Sequence, residues 1–191
     1  MLHDDEPGFA ADIVAVEGDP LPGHKAPVHL GFDLKPGYVN PDSCCIDRTY
    51  TLKVLALDAT TGKLLWERTV FDGPMYDERH RKNTYASETP VTDGEWLYVS
   101  FGGNVGVFAY TMDGKLLWKH TWPPQPIYLD FGTASSPVVH DGKVILLHDN
   151  ERESYILALD AKTGEELWRT ERPRASFLNS AWNTPFVWTN E

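Results

Sequence analysis

Two adjacent cysteines are the first candidates for chemistry in this chain. Cys44 and Cys45 are its only cysteines. Sequence neighbours can join only in a strained ring that links nothing distant in the chain. We therefore interpret them either as two separate thiols in a loop, which we favour, or as a vicinal disulfide.

The remaining reactive side chains follow no catalytic or metal-binding pattern. The seven histidines show no HExxH or paired spacing, and no cysteine pattern suggests zinc. The glycines of FGGNVG, 101–106, lie between two predicted strands and indicate a hairpin turn rather than a phosphate-binding loop. Ser135 and Ser136 lack the strand-to-helix turn of a hydrolase nucleophile. The sequence therefore predicts no catalytic residue, no metal ligand and no cofactor-binding residue.

The totals describe an acidic globular chain. It has 191 residues, 24% of them charged, and a formal net charge of −11. Such a charge argues against binding nucleic acid through its phosphates. No apolar run approaches the ~20 residues that span a bilayer, so no transmembrane segment is predicted. The first residues, MLHDDEPGFA, are acidic where a signal peptide begins basic and apolar. Taken literally, that start predicts a cytoplasmic chain; in a fragment it predicts nothing.

A short sequence motif occurs three times in the chain at nearly regular intervals. ALDATTGKLLW ends at Trp66, GKLLW at Trp118 and ALDAKTGEELW at Trp168, with separations of 52 and 50 residues. A second landmark, the prolines at 90, 137 and 185, recurs after 47 and 48 residues. Two landmarks with one period near 50 indicate a repeat architecture.

Each repeat predicts four short antiparallel strands. EWLYVSFG, GVFAYT and KLLWKHT follow one another with turn residues between them, and the next repeat has the same series. Four strands per ~50 residues is the pattern of a propeller blade. We therefore predict an all-β fold, a partial β-propeller of four-stranded antiparallel blades. The N-terminal segment at 1–49 includes a candidate strand region at Val28–Lys35 and is interpreted as a remnant of a preceding blade. The other predicted parts are the end of a blade at 50–72, complete blades at 84–122 and 135–172, and the first strand of a further blade at 180–191.

The repeated motif has a structural explanation. Asp58 and Asp160 can accept hydrogen bonds from the N–H groups of the turn that follows them. Glycine gives that turn its backbone freedom. The tryptophan of the outer strand can then cover a glycine peptide of the neighbouring blade. The predicted docking residues are Trp66, Trp118, Trp168, Gly62, Gly114, Gly164, Asp58 and Asp160.

The motif resembles the tryptophan-docking motif AxDxxTGKxxW of the pyrroloquinoline-quinone (PQQ) repeat propellers. ALDATTGKLLW matches it at every fixed position, ALDAKTGEELW departs only at Glu165, and the middle copy is one residue shorter and lacks the first aspartate. The resemblance covers roughly residues 50–189. Within the family, this chain is most similar to non-enzymatic proteins of the type of the propeller lipoprotein of the outer-membrane β-barrel assembly machinery. That resemblance implies a periplasmic or otherwise extracytoplasmic binding scaffold.

The same family implies an enzymatic alternative. Its dehydrogenases hold PQQ and Ca²⁺ on the propeller axis, with a vicinal disulfide against the quinone. Here CCIDRTYTLKVLALD reaches the docking motif almost at once, without the stretch that separates the two in those enzymes. We therefore expect no cofactor, and keep a PQQ- and Ca²⁺-dependent alcohol or sugar dehydrogenase as the alternative.

Three longer loops are the predicted recognition surface. They join one blade to the next at 71–87, 123–134 and 173–181, and loops of this kind carry recognition on a rigid frame. A protein or small ligand is expected there, although the same residues could simply cap the blades. The candidate partner-binding residues are His80, Arg81, Asn83, Tyr85, Tyr128, Arg174, Asn179 and Trp182.

Two complete blades are too few for a closed ring, which needs roughly four to eight. The remaining blades are therefore expected either in cis, in a longer protein, or in trans, from other copies of this chain. A self-assembling structural module is the second alternative function.

Overall fold

The computed structural model describes residues 8–22, 41–102, 105–174 and 179–189. Within them, the chain forms strands and one short 3-10 turn, Tyr128–Asp130. The strands are, in chain order, β1 (Phe9–Pro20), β2 (Ser43–Cys44), β3 (Arg48–Asp58), β4 (Leu64–Pro74), β5 (Arg79–His80), β6 (Val91–Thr92), β7 (Trp96–Phe101), β8 (Gly106–Thr111), β9 (Leu116–His120), β10 (Val138–His140), β11 (Lys143–His148), β12 (Tyr155–Asp160) and β13 (Glu166–Glu171).

Two sheets have the complete four-stranded blade topology. Their orders are β6–β7–β8–β9 and β10–β11–β12–β13, and every neighbouring pair is antiparallel. Strands that follow one another in sequence are therefore neighbours in the sheet, as expected from the short turns between them. The predicted all-β partial propeller with four-stranded antiparallel blades is confirmed.

The first sheet has three strands within the described residues. Its order is β1–β3–β4, and β1 runs antiparallel to β3 from Phe9, opposite Asp58, to Pro20, opposite Arg48. This part of the 1–49 segment therefore belongs to the same blade as 50–72. The candidate strand region Val28–Lys35 lies outside the described residues.

The end of the chain differs from its predicted conformation. Residues 179–189 carry no strand, although 180–191 is predicted as the first strand of a further blade. A strand needs a neighbour to hydrogen-bond with. No such neighbour lies among the described residues, and residues 190–191 lie outside them.

A bulge recurs in the outer strand pair of the three blade sheets, β1–β3–β4, β6–β7–β8–β9 and β10–β11–β12–β13. Trp66 lies opposite Ala56, Trp118 opposite Ala109 and Trp168 opposite Ala158, and each register shifts immediately before the tryptophan. A bulge puts one extra residue into one strand and re-aims the side chains beside it. The second leucine of KLLW, Leu65 or Leu117, is that extra residue, and Leu167 takes its place in the third blade.

The hydrophobic core lies between blades rather than within them. In β7, Leu97, Val99 and Phe101 belong to a core shared with the first sheet, whereas Tyr98 belongs to a core shared with the third. Alternate residues of a strand point to opposite faces, so one strand can supply two cores. By contrast, all six residues of β13 are exposed. The outer side of the third blade thus has no neighbour within the described chain.

Candidate functional site

The turns of the docking motif are closed by aspartate. One carboxylate oxygen of Asp58 accepts from the N–H groups of Thr60 (3.0 Å) and Thr61 (2.7 Å). Asp160 does the same with Lys162 (2.8 Å) and Thr163 (2.9 Å). These backbone hydrogen bonds favour the ionised form and lower the pKa of both aspartates.

Each of the first two docking tryptophans lies on a glycine of the following blade. The Trp66 indole Nε1–H donates to the carbonyl of Met112 (2.9 Å), and that of Trp118 to the carbonyl of Ala161 (2.8 Å). A Cβ added at Gly114 would lie 2.7 Å from the Trp66 ring, and one at Gly164 would lie 2.5 Å from the Trp118 ring. Both distances are shorter than any real Cβ contact, so only glycine permits this packing.

A second contact accompanies each of these two tryptophans, and the sequence analysis did not predict it. Two residues after the ring, Arg68 Nε donates to the carbonyl of Gly114 (2.7 Å), and His120 Nδ1 lies 3.1 Å from the carbonyl of Gly164. Arginine and histidine share no obvious pattern. Their common position, tryptophan plus two, was the only available signal.

The first docking glycine, Gly62, and the last docking tryptophan, Trp168, make no such tryptophan–glycine contact within the described residues. No atom lies within 4 Å of a Cβ placed on Gly62, and Trp168 is 39% exposed. The docking turns lie at one end of the blades, here called the turn end. The opposite end, here called the loop face, comprises the described parts of segments 41–47, 75–90, 121–137, 149–154 and 172–182.

The cysteine pair lies on the loop face. Cys44 and Cys45 form a disulfide, so the interpretation as two separate thiols is wrong. β2 pairs with β5, which sets Cys44 opposite Arg79, and Cys45 packs against the core between the first two blades. The Ser43 hydroxyl donates to the carbonyl of Leu129 (2.6 Å), which ties the pair to the next inter-blade loop.

Two of the predicted partner-binding residues, His80 and Arg81, lie beside this disulfide. The His80 ring packs edge-on against Phe131, with centroids 4.8 Å apart. Arg81 pairs with Asp42 at 2.8 Å, and its side chain is 62% exposed. His80 is therefore half-buried in the loop face, whereas Arg81 is accessible from solvent.

Asn83 and Tyr85 hold their loop from within. The Asn83 side-chain oxygen accepts from the N–H of Thr84 (2.9 Å). Tyr85 is 8% exposed, donates to the carbonyl of Asp77 (2.8 Å) and packs edge-on against Tyr50. Burial raises the pKa of the Tyr85 hydroxyl, so it stays protonated. As placed, Tyr85 is not accessible to a partner.

Tyr128, Asn179 and Trp182 meet where two inter-blade loops touch. The Tyr128 N–H donates to the Ser180 hydroxyl (2.9 Å), and the Trp182 indole donates to the carbonyl of Gly132 (2.7 Å). Trp182 remains 39% exposed. Its ring is therefore held in place but open on one side.

Glu151 anchors this contact, and sequence reasoning missed it. Its carboxylate accepts from the N–H groups of Asn179 (3.0 Å) and Ser180 (2.9 Å) and from the Ser180 hydroxyl (2.7 Å), and the residue is 6% exposed. Arg174 lies nearby, where its exposed guanidinium donates to the backbone carbonyl of Glu151 (2.5 Å). No spacing in NERES marks this role, because its partners lie 28 and 29 residues away.

Buried acidic groups lie beneath the loops. Glu88 is 5% exposed and accepts from the Thr133 hydroxyl (2.8 Å). Burial raises its pKa to about 7. Burial, together with the negative charge of Asp130, also raises the pKa of Asp77 to about 7. Sequence reasoning missed both, since neither lies in a recognisable motif.

The quinone alternative concerns a Ca²⁺ site and the disulfide. Within residues 8–22, 41–102, 105–174 and 179–189, no group of three or more His, Cys, Asp or Glu side chains could hold a metal ion. Cys45 of the disulfide packs against the core between the first two blades. In the described part of the chain, no helix has the length and apolarity needed to cross a membrane.

Comparisons with known proteins agree with the repeat. The chain is 28% identical over 123 residues to the outer membrane protein assembly factor BamB of Kangiella koreensis, an alignment that covers 62% of this chain and 27% of the relative. The chain thus spans about a quarter of the length of that relative.

Two solved structures are also similar to part of this chain. BamB from Moraxella catarrhalis has 18% identity and a TM-score of 0.41, with 64% of this chain and 33% of that chain covered. Quinohemoprotein alcohol dehydrogenase from Comamonas testosteroni has 21% identity and a TM-score of 0.43, with 68% and 20% covered.

The family model PQQ_2, described as outer membrane protein assembly factor BamB, matches residues 36–190. This match confirms the resemblance carried by the docking motif. Because it spans most of the chain, the protein belongs to this BamB-like family of PQQ-repeat propellers.

Proposed function

We propose that this propeller segment is a non-enzymatic scaffold that binds a protein partner through its loop face. The observation that carries the proposal is that two exposed side chains of recognition type are held in place by fixed contacts. Trp182 and Arg81 are exposed, yet each is fixed by a directional contact, to Gly132 and Asp42 respectively. Aromatic and arginine side chains held in place lose little entropy on binding, and both types are enriched at protein interfaces.

The compartment and process follow from relatives, as part of the same proposal. The curated relative is an outer membrane protein assembly factor. We infer an extracytoplasmic scaffold of the bacterial cell envelope that assists assembly of outer membrane proteins. The loop face would hold the partner, and the docked blades would keep that face rigid.

Site-specific photo-cross-linking tests this role. A photo-reactive phenylalanine analogue at Trp182 or Arg81 should form cross-links to an envelope protein in cells. The same analogue at Lys162, an exposed residue of the turn end, is the matched control. Cross-links from Lys162 but not from Trp182 would contradict the proposal.

The bonded cysteine pair keeps a dehydrogenase as the second candidate, since the enzymes of this family carry such a disulfide. Titration with PQQ and Ca²⁺ tests it. A retained quinone absorption band together with alcohol-dependent dye reduction would replace the scaffold proposal.

The exposed β13 favours self-assembly as a third candidate, because soluble proteins rarely leave a sheet edge and face uncovered. Light scattering across a concentration series tests it. A monomer at every concentration would remove this candidate.

A further inference from the structure

A cavity lies between the second and third blades, beneath the loop face. It has a volume of about 40 Å³, which suits a group the size of one or two water molecules. Its lining comes from the ends of β7 and β11 and from the inter-blade loops, and it includes Glu88, Gln125, Ser135, His148 and Asp149. None of these residues belongs to a motif, and the docking contacts use none of them.

The cavity lining presents hydrogen-bond acceptors that have no donor. Within the described part of the chain, no partner reaches Asp149 Oδ1, Gln125 Oε1 or His148 Nε2, although all three atoms are buried. The Asp149 side chain is only 4% exposed. A buried acceptor without a donor costs free energy, so a donor entering the cavity would be favoured.

Glu88 supplies the negative charge that would attract a cationic hydrogen-bond donor into the cavity. Arg172 already pairs with the other oxygen of Asp149, so that carboxylate is largely neutralised. No cation pairs with Glu88 among the described residues, and its carboxylate accepts hydrogen bonds from the Thr133 hydroxyl and the Ser87 N–H. The raised pKa of Glu88 fits a buried carboxylate that has no counterion.

The histidine is neutral and can act as an acceptor. Burial, and then the positive charge of Arg169, lowers the pKa of His148 to about 4. Its ring is stacked on Tyr155, with centroids 4.7 Å apart, and meets Trp122 edge-on at 5.0 Å. These two contacts fix the orientation of the imidazole.

We propose that this inter-blade cavity binds a primary ammonium group. An ammonium carries one positive charge and three donors on a compact head, matching one uncompensated carboxylate and three acceptors without donors. A divalent metal ion fits less well, because it needs several carboxylates and the described residues offer no such group. A guanidinium is planar and larger than the cavity favours.

The ammonium could come from a lysine side chain of a protein partner or from a free amine. The first source rests on the proposed scaffold function, because the cavity lies directly below the loop face. The second source does not. Both share the same recognition chemistry in the cavity.

Titration with methylammonium chloride, followed by the amide NMR signals of Thr133, Ser135 and Asn150, tests the proposal. We expect saturable shifts with methylammonium. We expect none with tetramethylammonium, which has the same charge but no N–H donor. Equal shifts with both salts, or shifts that rise linearly without saturation, would overturn the site.

Two variants locate the binding. Glu88→Gln should weaken methylammonium binding by about tenfold or more, the value of a charged hydrogen bond. Glu95→Gln, the same change at an exposed residue, should leave the affinity unchanged. Gln125→Leu removes one acceptor at a half-buried position and should weaken binding about threefold to tenfold, which keeps the test open if Glu88→Gln fails to fold. Unchanged affinity in the folded variants would overturn the proposal.

The source is decided by a second ligand. A lysine-containing peptide that binds at least tenfold more tightly than methylammonium indicates a protein partner, and the reverse order indicates a free amine. Saturable ammonium binding without cross-links from Trp182 would leave the site standing and remove the scaffold role. Cross-links without ammonium binding would do the opposite.

Discussion

The two ends of each blade are held by different kinds of interaction. At the turn end, one short motif makes the same contacts in successive blades, so that Gly114 and Gly164 meet Trp66 and Trp118 in the same way. At the loop face, each contact occurs once, as with Glu151 and Ser180 or Ser43 and Leu129. The turn end is a repeated joint, whereas the loop face is individual to each blade. The residues of the loop face can therefore vary without changing how the blades pack.

The largest expected effect comes from removing a docked tryptophan. Trp118 is 9% exposed between two blades, so Trp118→Ala should lower the free energy of unfolding by about 3–5 kcal/mol. Trp168 holds the same motif position but is 39% exposed, and Trp168→Ala should cost on the order of 1 kcal/mol. Urea unfolding measures both. Equal costs would mean that Trp168 is docked on a further blade or on another copy of the chain.

The buried carboxylate of Glu88 should make stability depend on pH. Its folded pKa of about 7 lies above the ordinary value of 4.5, so between these values the native state holds a proton that the unfolded chain has lost. The free energy of unfolding therefore falls as the pH rises through this window. A shift of this size corresponds to roughly 3 kcal/mol.

Glu88→Gln isolates this contribution. The free energy of unfolding of the variant minus that of the wild type should increase by about 2–3 kcal/mol from pH 4.5 to pH 7.5, because only the wild type loses the contribution of Glu88 in this window. His148, whose lowered pKa gives the opposite slope at lower pH, is present in both proteins and cancels in the difference. Asp77 is also present in both, but its negative charge helps to raise the pKa of Glu88, so that effect is part of the measured difference. Urea unfolding at four pH values is the measurement, with Glu95→Gln as the exposed control. A difference that stays constant with pH would contradict the buried placement of Glu88.

The docking glycines offer a matched pair of smaller changes. Gly62 and Gly164 have nearly the same backbone, with φ of 70° and 73°, so alanine costs each about 1–2 kcal/mol of conformational strain. Only Gly164 also faces a ring, since its added Cβ would lie 2.5 Å from Trp118. Gly164→Ala should therefore destabilise by about 2 kcal/mol more than Gly62→Ala. Thermal unfolding checks this, and an equal loss from both would place a ring on Gly62 as well.

The regular part of the structure could be predicted because it repeats. The strand prediction at 106–111 coincides with β8, and that at 95–102 contains β7. Alternating apolar residues and turn glycines are local signals, and three copies of one motif made them unambiguous. The strand β1 was missed because FAADIVAVEGDP contains acidic residues and a glycine, and lies before the first motif.

The loop face could be predicted only as a location. Loop length marked the segments of the proposed recognition surface, but it did not separate the exposed Arg81 from the buried Tyr85, which lie four residues apart. Burial there is decided by Tyr50, a residue of another segment. Glu151, Asp149 and the cavity between blades likewise depend on contacts distant in sequence. No periodicity records such contacts, so they became visible only in three dimensions.

Glu151 provides the smallest and most local test of the comparison. Glu151→Gln keeps one carbonyl oxygen but loses the charge that holds Asn179 and Ser180, so we expect a loss of about 1–2 kcal/mol. The effect should be confined to the loop face, because the turn end makes none of these contacts. Trypsin cleavage after Arg174 should accelerate severalfold, while cleavage after Lys162 at the turn end stays unchanged. Glu165→Gln, at an exposed residue of the docking turn, is the control and should change neither rate. Acceleration at both ends would mean that the loop contacts also hold the blades together, and the division between a repeated joint and an individual recognition surface would fail.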